Sequence, residues 1–188
     1  MLLIRAITQA DYLVVKKLLD SNDLGVGGAY NPEGQEVIVA DLGGSVVGVA
    51  EFQIDFDFGR DEGRLAHPGE QAWILTMAVA EARRRQGVGR ALVTEIARRA
   101  QDAGHTFLAL VPQDGDNAAD RETFFQACGL TPIEPDGPGA AWGCPVTQIL
   151  AAGGGGHCAG RAERARGGAG AASRHSAAYG QESSTVTA

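Results

Sequence analysis

The sequence predicts a single α/β domain, and three consecutive segments support this prediction. Residues 72–79 form a continuous apolar run of strand length. After a turn rich in arginine and glycine, apolar residues recur at every fourth position from Val88 to Ala100, which indicates an amphipathic helix. Gly104 ends this helix, and residues 107–111 form a second apolar run typical of a buried strand. A strand, a helix and a strand in this order form the unit from which α/β proteins are built.

The chain opens with a predicted strand over residues 2–7, and a helix is expected to follow it. Thr8 stands at the N-cap position of that helix and Asp11 follows three residues later, which resembles a capping box. The helix is expected to bury the apolar side chains of Tyr12, Val15, Leu18 and Leu19.

The next two predicted strands form a β-hairpin. Residues 37–42 and 46–52 are rich in β-branched and apolar side chains, and the glycine-containing segment 43–45 separates them. The hairpin therefore adds a pair of antiparallel strands to the fold.

Residues 151–188 differ from the rest of the chain in composition. They contain 9 Gly and 11 Ala, and Val186 is their only Ile, Leu, Val, Phe, Met or Trp. Such a segment buries too little apolar surface to offset about 1–2 kcal/mol of backbone entropy per residue. We therefore expect one domain at residues 1–150 and a flexible low-complexity tail at residues 151–188, linked by the glycine run 153–156.

The charge of the predicted domain argues against nucleic acid as a partner. Residues 1–150 carry 12 Lys and Arg against 21 Asp and Glu, a net charge of −9, whereas nucleic-acid-binding domains are usually basic. A membrane partner is not expected either, because no apolar segment approaches the roughly 20 residues of a membrane span. Asp11 also interrupts any signal-peptide pattern at the N-terminus.

The cysteines and histidines indicate neither a disulfide framework nor a metal site. Cys128, Cys144 and Cys158 have no regular spacing, which suits a reducing cytoplasm. One cysteine and two scattered histidines in the tail do not form a set of metal ligands, so no metal is expected. The sequence carries no motif that fixes the oligomeric state, and a homodimer is compatible with it.

The turn between the apolar run and the amphipathic helix has the features of an anion site. A helix N-terminus carries unpaired N–H groups and about half a positive charge, which favours bound phosphate. Gly87 and Gly89 lack a Cβ, so an anion can approach the backbone closely. Arg83, Arg84 and Arg85 add positive charge, although three arginines alone are more typical of a solvated basic patch. The spacing fits neither a Walker loop nor a dinucleotide fingerprint, because the Gly-Lys pair of the first and the third glycine of the second are absent.

This turn resembles the acyl-CoA pyrophosphate loop of the GNAT superfamily of N-acetyltransferases. The shared pattern is Arg84-x-x-Gly87-x-Gly89 after a strand that ends in Ala-Val. Residues 124–130, Phe-Phe-Gln-Ala-Cys-Gly-Leu, are similar to the family's Phe-Tyr-x-x-x-Gly-Phe segment. The resemblance spans residues 1 to about 150 and implies a single GNAT-type α/β domain with a mixed, mostly antiparallel sheet flanked by helices.

The resemblance also implies the substrates and the residues that hold one of them. Residues 72–79 and 107–111 would be adjacent parallel strands that diverge, and acetyl-CoA, the cosubstrate, would lie in the cleft between them. An amine acceptor would then attack the thioester directly. The residues to which the resemblance assigns acetyl-CoA binding are Met77, Ala78, Val79, Arg84, Arg85, Gln86, Gly87, Val88, Gly89, Arg90, Ala91, Asn117 and Phe125.

Three positions depart from the family pattern. Phe125 stands where many members have a tyrosine that protonates the leaving thiolate, and a phenyl ring has no proton to give. Trp73 stands where some members have a glutamate base. Asn117 lies two residues later than the family's asparagine, and it is equally typical of a turn or a helix cap.

Glu51 is the candidate for a catalytic base, because its strand faces the acceptor cleft in related proteins; the alternative is a carboxylate that faces solvent. Asp55 and Asp57 either belong to a half-exposed strand or bind a cationic acceptor. His67, in a predicted loop, is a further candidate.

Two function classes follow from this resemblance. The leading interpretation is an N-acetyltransferase that acts on a primary amine of a small molecule or peptide by direct transfer. The alternative is a catalytically weak GNAT-like module that binds acyl-CoA as a sensor or interaction partner.

Overall fold

A computed structural model describes residues 1–22, 24, 35–57, 67–113, 115–133 and 140–153. Seven strands in these ranges form one sheet in the order β1-β2-β3-β4-β5-β7-β6. The strands are β1 (Leu2–Ala6), β2 (Glu36–Leu42), β3 (Ser45–Phe56), β4 (Gln71–Val79), β5 (Phe107–Leu110), β6 (Thr131–Pro132) and β7 (Trp142–Pro145). The helices are α1 (Tyr12–Asp20), α2 (Val88–Asp102), α3 (Ala118–Ala127) and α4 (Val146–Gly153).

The sheet is mixed and mostly antiparallel, as the sequence predicts. Strands β4 and β5 are parallel neighbours joined through α2, and the other neighbouring strands are antiparallel. The first registered pair between β4 and β5 is Ala72 with Leu108, and the last is Ile74 with Leu110. Because β4 continues to Val79, the two strands separate over the second half of β4.

An irregularity in the pairing of β3 with β4 lies where this separation begins. Glu51 pairs with Thr76, whereas the next residue, Phe52, pairs with Ile74. Leu75 is therefore an extra residue in β4, which makes this a β-bulge. Bulges bend a strand locally and often re-aim side chains next to functional sites.

Helix α2 covers one face of the sheet with the side chains that its periodicity predicts. Its buried residues are Val88, Leu92, Val93, Ile96, Ala97 and Ala100. Gly48 of β3 lets this helix approach closely, since a Cβ there would lie 3.0 Å from Val88 Cγ1. The last turn ends at Gly104, whose φ of 90° is left-handed and suits glycine.

Helix α1 covers part of the opposite face and differs from the prediction in one residue. Val15, Leu18 and Leu19 are buried, but Tyr12 is 48% exposed, so its predicted burial is wrong. A 3₁₀ turn over Gln9–Asp11 precedes the helix. Asp11, four residues before Val15, takes the inward position one turn earlier and is itself buried.

Asp11 joins the start of α1 to the first two strands. Its carboxylate accepts from Arg5 Nη1 at 2.7 Å and from Arg5 Nη2 at 3.0 Å. The same carboxylate accepts from the Thr8 backbone N–H at 2.8 Å, which closes the predicted capping box. Arg5 also reaches Asp41 of β2 at 3.1 Å.

The C-terminal elements finish the core on the α2 side. Trp142 and Cys144 of β7 are buried, as is Ile149 of α4. Helix α4 runs to Gly153, across the predicted domain boundary at residue 150. The rest of the predicted tail, residues 154–188, lies outside the described residues. Within the part of the chain that is described, no helix combines the length and apolar character needed to cross a membrane.

Candidate functional site

The predicted anion site is a turn between the end of β4 and the start of α2. A 3₁₀ turn follows Val79, and Arg84 then has an extended backbone. Arg85 (φ 60°) and Gly87 (φ 83°) are both left-handed. Ala91 N donates to Gly87 O at 3.0 Å, so the amides of the first helical turn, Val88 to Arg90, precede the intrahelical donors and remain available to a ligand.

Gly87 is the glycine that opens this turn to a ligand. A Cβ built on it would meet no atom within 4 Å, so the space beside its Cα is open. Its left-handed backbone is strained for other residues. It is also the residue that caps α2, where the helix dipole attracts negative charge. These features fit a pyrophosphate held mainly by backbone amides.

Gly89 has a different reason to be glycine. The sequence predicts that its missing Cβ lets an anion approach closely, but the space beside its Cα is taken by a side chain. A Cβ there would lie 2.9 Å from Phe124 Cζ and 3.7 Å from Val79 Cγ2. The glycine therefore lets α3 pack against the first turn of α2, while the Gly89 amide still points out of that turn as a candidate donor.

The side chains of the turn are mostly engaged by the protein. Arg84 Nη2 donates to Asn22 Oδ1 at 2.7 Å, and Arg90 Nη2 donates to the carbonyl oxygen of Ala127 at 2.7 Å. Arg85 is 89% exposed and lies 3.6 Å from Asp120, itself largely exposed. Among the described residues, the guanidinium of Arg85 is held only by this exposed ion pair, which contributes little to stability. It is therefore placed to reach an anion.

The second half of β4 supplies the other predicted part of the site. Met77, Ala78 and Val79 pair with β3 on one side. On the other side, the registered pairing with β5 has already ended at Ile74. Every second backbone amide and carbonyl of this segment therefore faces the gap between the two strands. An extended ligand can hydrogen-bond there as a strand would.

Glu51 lies on β3, which pairs with the other edge of β4, and it is not the solvent-facing carboxylate of the alternative prediction. It is 5% exposed and pairs with Thr76 at the bulge. It shares its face of the sheet with Val37 and Val49, which pack in the cluster beneath α1. Burial raises the pKa of the Glu51 carboxyl above its ordinary value of 4.5, because a charge loses hydration in an apolar setting.

The remaining acid and histidine candidates lie at the other end of β4, near its first residues. Asp55 Oδ1 lies 2.8 Å from His105 Nε2, and His67 Nδ1 lies 2.8 Å from Thr106 Oγ1. The side chain of Asp55 is 72% exposed, and Asp57 is also exposed. The structure does not bring these residues together with Glu51.

The residues that replace the family's acid and base are aromatic core residues. Trp73 is 9% exposed and its ring stacks at a tilt on Phe56, with 5.5 Å between centroids. Phe125 is 7% exposed and meets Phe124 edge to face at 5.1 Å. Asn117 occupies the N-cap position of α3 with a left-handed φ of 70°, and its side chain makes no cap hydrogen bond there.

Sequence reasoning missed two contacts that shape this site. The packing of Phe124 on Gly89 joins segments that are 35 residues apart in the chain. Neither a phenylalanine nor a glycine indicates such a contact by its type alone. The bond from Arg84 to Asn22 joins segments 62 residues apart. A glycine next to a predicted helix start was visible in the sequence, but its neighbour in space was not.

Comparison with known proteins gives a family match and many similar folds. The model described as "Acetyltransferase (GNAT) family" matches residues 7–130. The comparison with curated proteins finds no match.

Three solved structures illustrate the similarity. An acetyltransferase of the GNAT family from Staphylococcus aureus is 12% identical, with a TM-score of 0.57 over 78% of this chain and 99% of the other. The ribosomal-protein-S18-alanine N-acetyltransferase from Escherichia coli is 16% identical, with a TM-score of 0.55 over 78% and 94%. A structure described as a KacTA–DNA complex is 14% identical, with a TM-score of 0.55 over 79% and 96%. At these identities the similarity concerns the fold.

Proposed function

Because this chain belongs to the GNAT acetyltransferase family, we propose that it transfers an acetyl group from acetyl-CoA directly to a primary amine of a small molecule or peptide. The observation that carries this proposal is the turn from Arg84 to Gly89. It combines a left-handed, unobstructed glycine, the free amides of a helix start and an adjacent half-unpaired strand. This combination suits the pyrophosphate and the extended arm of one and the same ligand.

The residues of the site divide the binding of acetyl-CoA between them. The amides from Arg85 to Gly89 and the exposed guanidinium of Arg85 would hold the pyrophosphate. Met77, Ala78 and Val79 would hold the pantetheine arm along the open edge of β4. In this arrangement the thioester lies near the bulge, within reach of the face that carries Glu51.

Glu51 would act as the base for the incoming amine. Primary amines have ordinary pKa values of about 10 and are therefore largely protonated at neutral pH. A carboxylate with a raised pKa accepts a proton more readily than an exposed one does. The neutral amine then forms the C–N bond at the thioester carbonyl, the C–S bond breaks, and the thiolate leaves. The nitrogen of the new amide loses its second proton to water.

Two buried thiols favour direct transfer over a route through an acyl-cysteine. Burial raises the pKa of Cys144 to about 12 and also raises the pKa of Cys128. At neutral pH both are therefore protonated and poor nucleophiles. Free buried cysteines also suit the reducing cytoplasm that we propose as the setting.

The leaving thiolate has no phenol to protonate it at positions 124 and 125. CoA thiol is expected to have a pKa near that of cysteine, roughly 8–9. Water can therefore supply the proton without a large penalty. Because general acids contribute at most about 10²–10⁴-fold, the missing acid leaves most of the acceleration to positioning and to electrostatic stabilisation.

Calorimetry with acetyl-CoA tests the binding half of this proposal. Gly87→Glu places a side chain and a negative charge in the open space of the turn, and we expect it to abolish binding. Gly104→Glu is the matched control, since Gly104 has a φ of 90° and no atom within 4 Å of its missing Cβ. Gly104 lies beyond the other end of α2, which places it about 22 Å from Gly87 along the helix axis at 1.5 Å per residue. Undiminished binding to Gly87→Glu would rule out the site.

Release of free thiol across a panel of primary amines tests the transfer half. The panel includes a peptide that begins with alanine, because one structural neighbour is named as an alanine N-acetyltransferase. Thiol release that depends on an amine supports the enzyme. Tight binding of acetyl-CoA with no release for any amine supports the alternative, a module that binds acyl-CoA without rapid transfer.

A further inference from the structure

The side chain of Arg84 connects the cofactor turn to the end of helix α1. Its Nη2 donates to Asn22 Oδ1 at 2.7 Å, and Asn22 Nδ2 donates to the Leu18 carbonyl oxygen at 2.7 Å. Each atom of the Asn22 amide thus has one partner of the correct polarity. The Leu18 carbonyl belongs to the last turn of α1, where it has no intrahelical donor of its own.

The other end of this connection is the end of β4. Arg84 Nε lies 3.4 Å from the carbonyl oxygen of Val79, and the backbone N–H of Arg84 donates to Glu81 O at 3.1 Å. One arginine therefore spans from the last residue of β4 to the C-terminal end of α1. Nε and Nη2 of the guanidinium make these two contacts, and the backbone of the turn is left to face an anion.

The end of α1 lies on the same face of the sheet as Glu51. Leu18 and Leu19 pack with Val49 of β3 and Ala78 of β4 in one apolar cluster. Val49 and Glu51 are two residues apart on β3 and point to the same face. A displacement of the end of α1 would therefore change the packing on the face of the sheet where the amine would be deprotonated.

We infer that Arg84 is a positioning residue that links occupancy of the turn to the order of the C-terminal end of α1, through Asn22. This inference rests on the proposed function. An arginine loses much rotational freedom when it holds a fixed partner. A ligand that orders residues 84–89 has already fixed the backbone that carries this side chain, so the bond to Asn22 strengthens. By linkage, loss of that bond weakens the coupling in both directions.

Amide hydrogen exchange with CoA as the probe tests this inference. The reporters are the amides of Ser21, Asn22 and Leu24, which donate to Lys17 O, Leu19 O and Leu19 O. In the native sequence we expect saturating CoA to slow their exchange by about fivefold or more, the lower end of common coupling strengths. In Asn22→Ala we expect CoA to bind but the slowing to disappear.

Two further variants make the result specific to the Arg84 contact. Ser21→Ala removes a different bond to the same carbonyl, from Ser21 Oγ to Leu18 O at 2.9 Å, and should keep the slowing. Asn22→Asp keeps an oxygen for Arg84 but replaces the donor to Leu18 O by a carboxylate oxygen, so it should lose the slowing as Asn22→Ala does. Equal slowing in Asn22→Ala and the native sequence, or loss of it in Ser21→Ala as well, would overturn the inference.

The outcome also separates this inference from the proposed function. Binding of CoA to the native sequence by calorimetry, with no change in exchange at the end of α1, overturns the inference and leaves the proposed function standing. Absence of CoA binding to the native sequence overturns both.

Discussion

The ring of Phe124 lies where a side chain on Gly89 would have to go: a Cβ there would be 2.9 Å from Phe124 Cζ and 3.1 Å from Cε2. This contact sets the distance between α3 and the first turn of α2. We expect Gly89→Ala to lower the free energy of unfolding by about 1–2 kcal/mol, because overpacking outweighs the helix propensity of alanine. Urea denaturation measures it.

The double variant Gly89→Ala/Phe124→Leu is the control for this prediction. A smaller side chain at position 124 makes room for the new methyl group, so the pair should be less destabilised than the two single variants together. If the losses of unfolding free energy in the two single variants add up to that in the double variant, the cost of Gly89→Ala arises elsewhere, for instance in the backbone of the turn.

We expect Glu51→Gln to lower the rate of acetyl transfer by about 10²-fold or more at neutral pH, since glutamine cannot accept the proton of the amine. Binding of acetyl-CoA should be unchanged. The native rate should fall as the pH falls through the raised pKa of Glu51, because the base is then protonated. Steady-state kinetics across pH measure both effects, and unchanged kcat in the variant would exclude Glu51 as the base.

The same substitution has a signature in stability. The raised pKa of Glu51 means that the folded state holds the proton more tightly than the unfolded chain. Its contribution to stability is therefore full below the ordinary value of 4.5 and is lost as the pH rises through the raised pKa. Relative to the native sequence, Glu51→Gln should gain stability as the pH rises above the ordinary pKa of 4.5. A difference that does not vary with pH in urea denaturation would contradict this.

Asp11 behaves in the opposite way. The Arg5 guanidinium holds the pKa of the Asp11 carboxyl well below its ordinary value of 3.8. The stability that it supplies is present above that ordinary value and is lost as the pH falls through the lowered one. Asp11→Asn should cost about 1–3 kcal/mol at pH 7, as for a hydrogen-bonded charged group that loses its partner, and the gap to the native sequence should narrow in acid.

Asp20→Asn is the matched control for that measurement. Asp20 pairs with Lys16 at 3.0 Å within one exposed face of α1. Such a pair contributes about 0.5 kcal/mol or less. A loss in Asp11→Asn no larger than that in Asp20→Asn would show that the buried cluster adds no stability.

Phe125 tests whether the missing acid matters. Phe125→Ala should cost about 3–5 kcal/mol through a cavity, because the ring is buried. Phe125→Tyr should fold normally and bind acetyl-CoA, with turnover equal or higher. A Phe125→Tyr variant that binds acetyl-CoA but has lost all transfer would show a role for the phenyl ring beyond packing.

Local signals in the sequence predicted the strands, the main helix and the turn that joins β4 to α2. The fourfold recurrence from Val88 to Ala100 predicted which face of α2 is buried, and the Arg84-x-x-Gly87-x-Gly89 spacing predicted the family. These features depend on residues close together in the chain. The adjacency of β4 and β5 followed from the strand–helix–strand order and from the family resemblance.

Features that depend on distant residues were not predictable in the same way. The exposure of Tyr12 follows from a 3₁₀ turn that shifts the helical phase and gives the inward position to Asp11. The burial of Glu51 depends on the elements that cover its face of the sheet, because the alternation along β3 alone does not tell an inner face from an outer one. Gly89 looked like a ligand contact until Phe124, from another helix, was found beside it.

Because Leu75 is an extra residue, the side chains of β4 that face α2 change from even-numbered to odd-numbered positions along the strand. Ala72 and Ile74 pack on the α2 side before it, and Met77 and Val79 pack on that same side after it. If all nine residues of β4 alternated regularly, with no bulge at Leu75, the odd and even positions of the second half would exchange faces. Deletion of Leu75 would therefore remove the bulge and leave a regularly paired strand, in which Met77 and Val79 still face α2 together with Ala72 and Ile74. What the extra residue supplies is the local bend of β4, and the side chains on either side of it keep their faces without it.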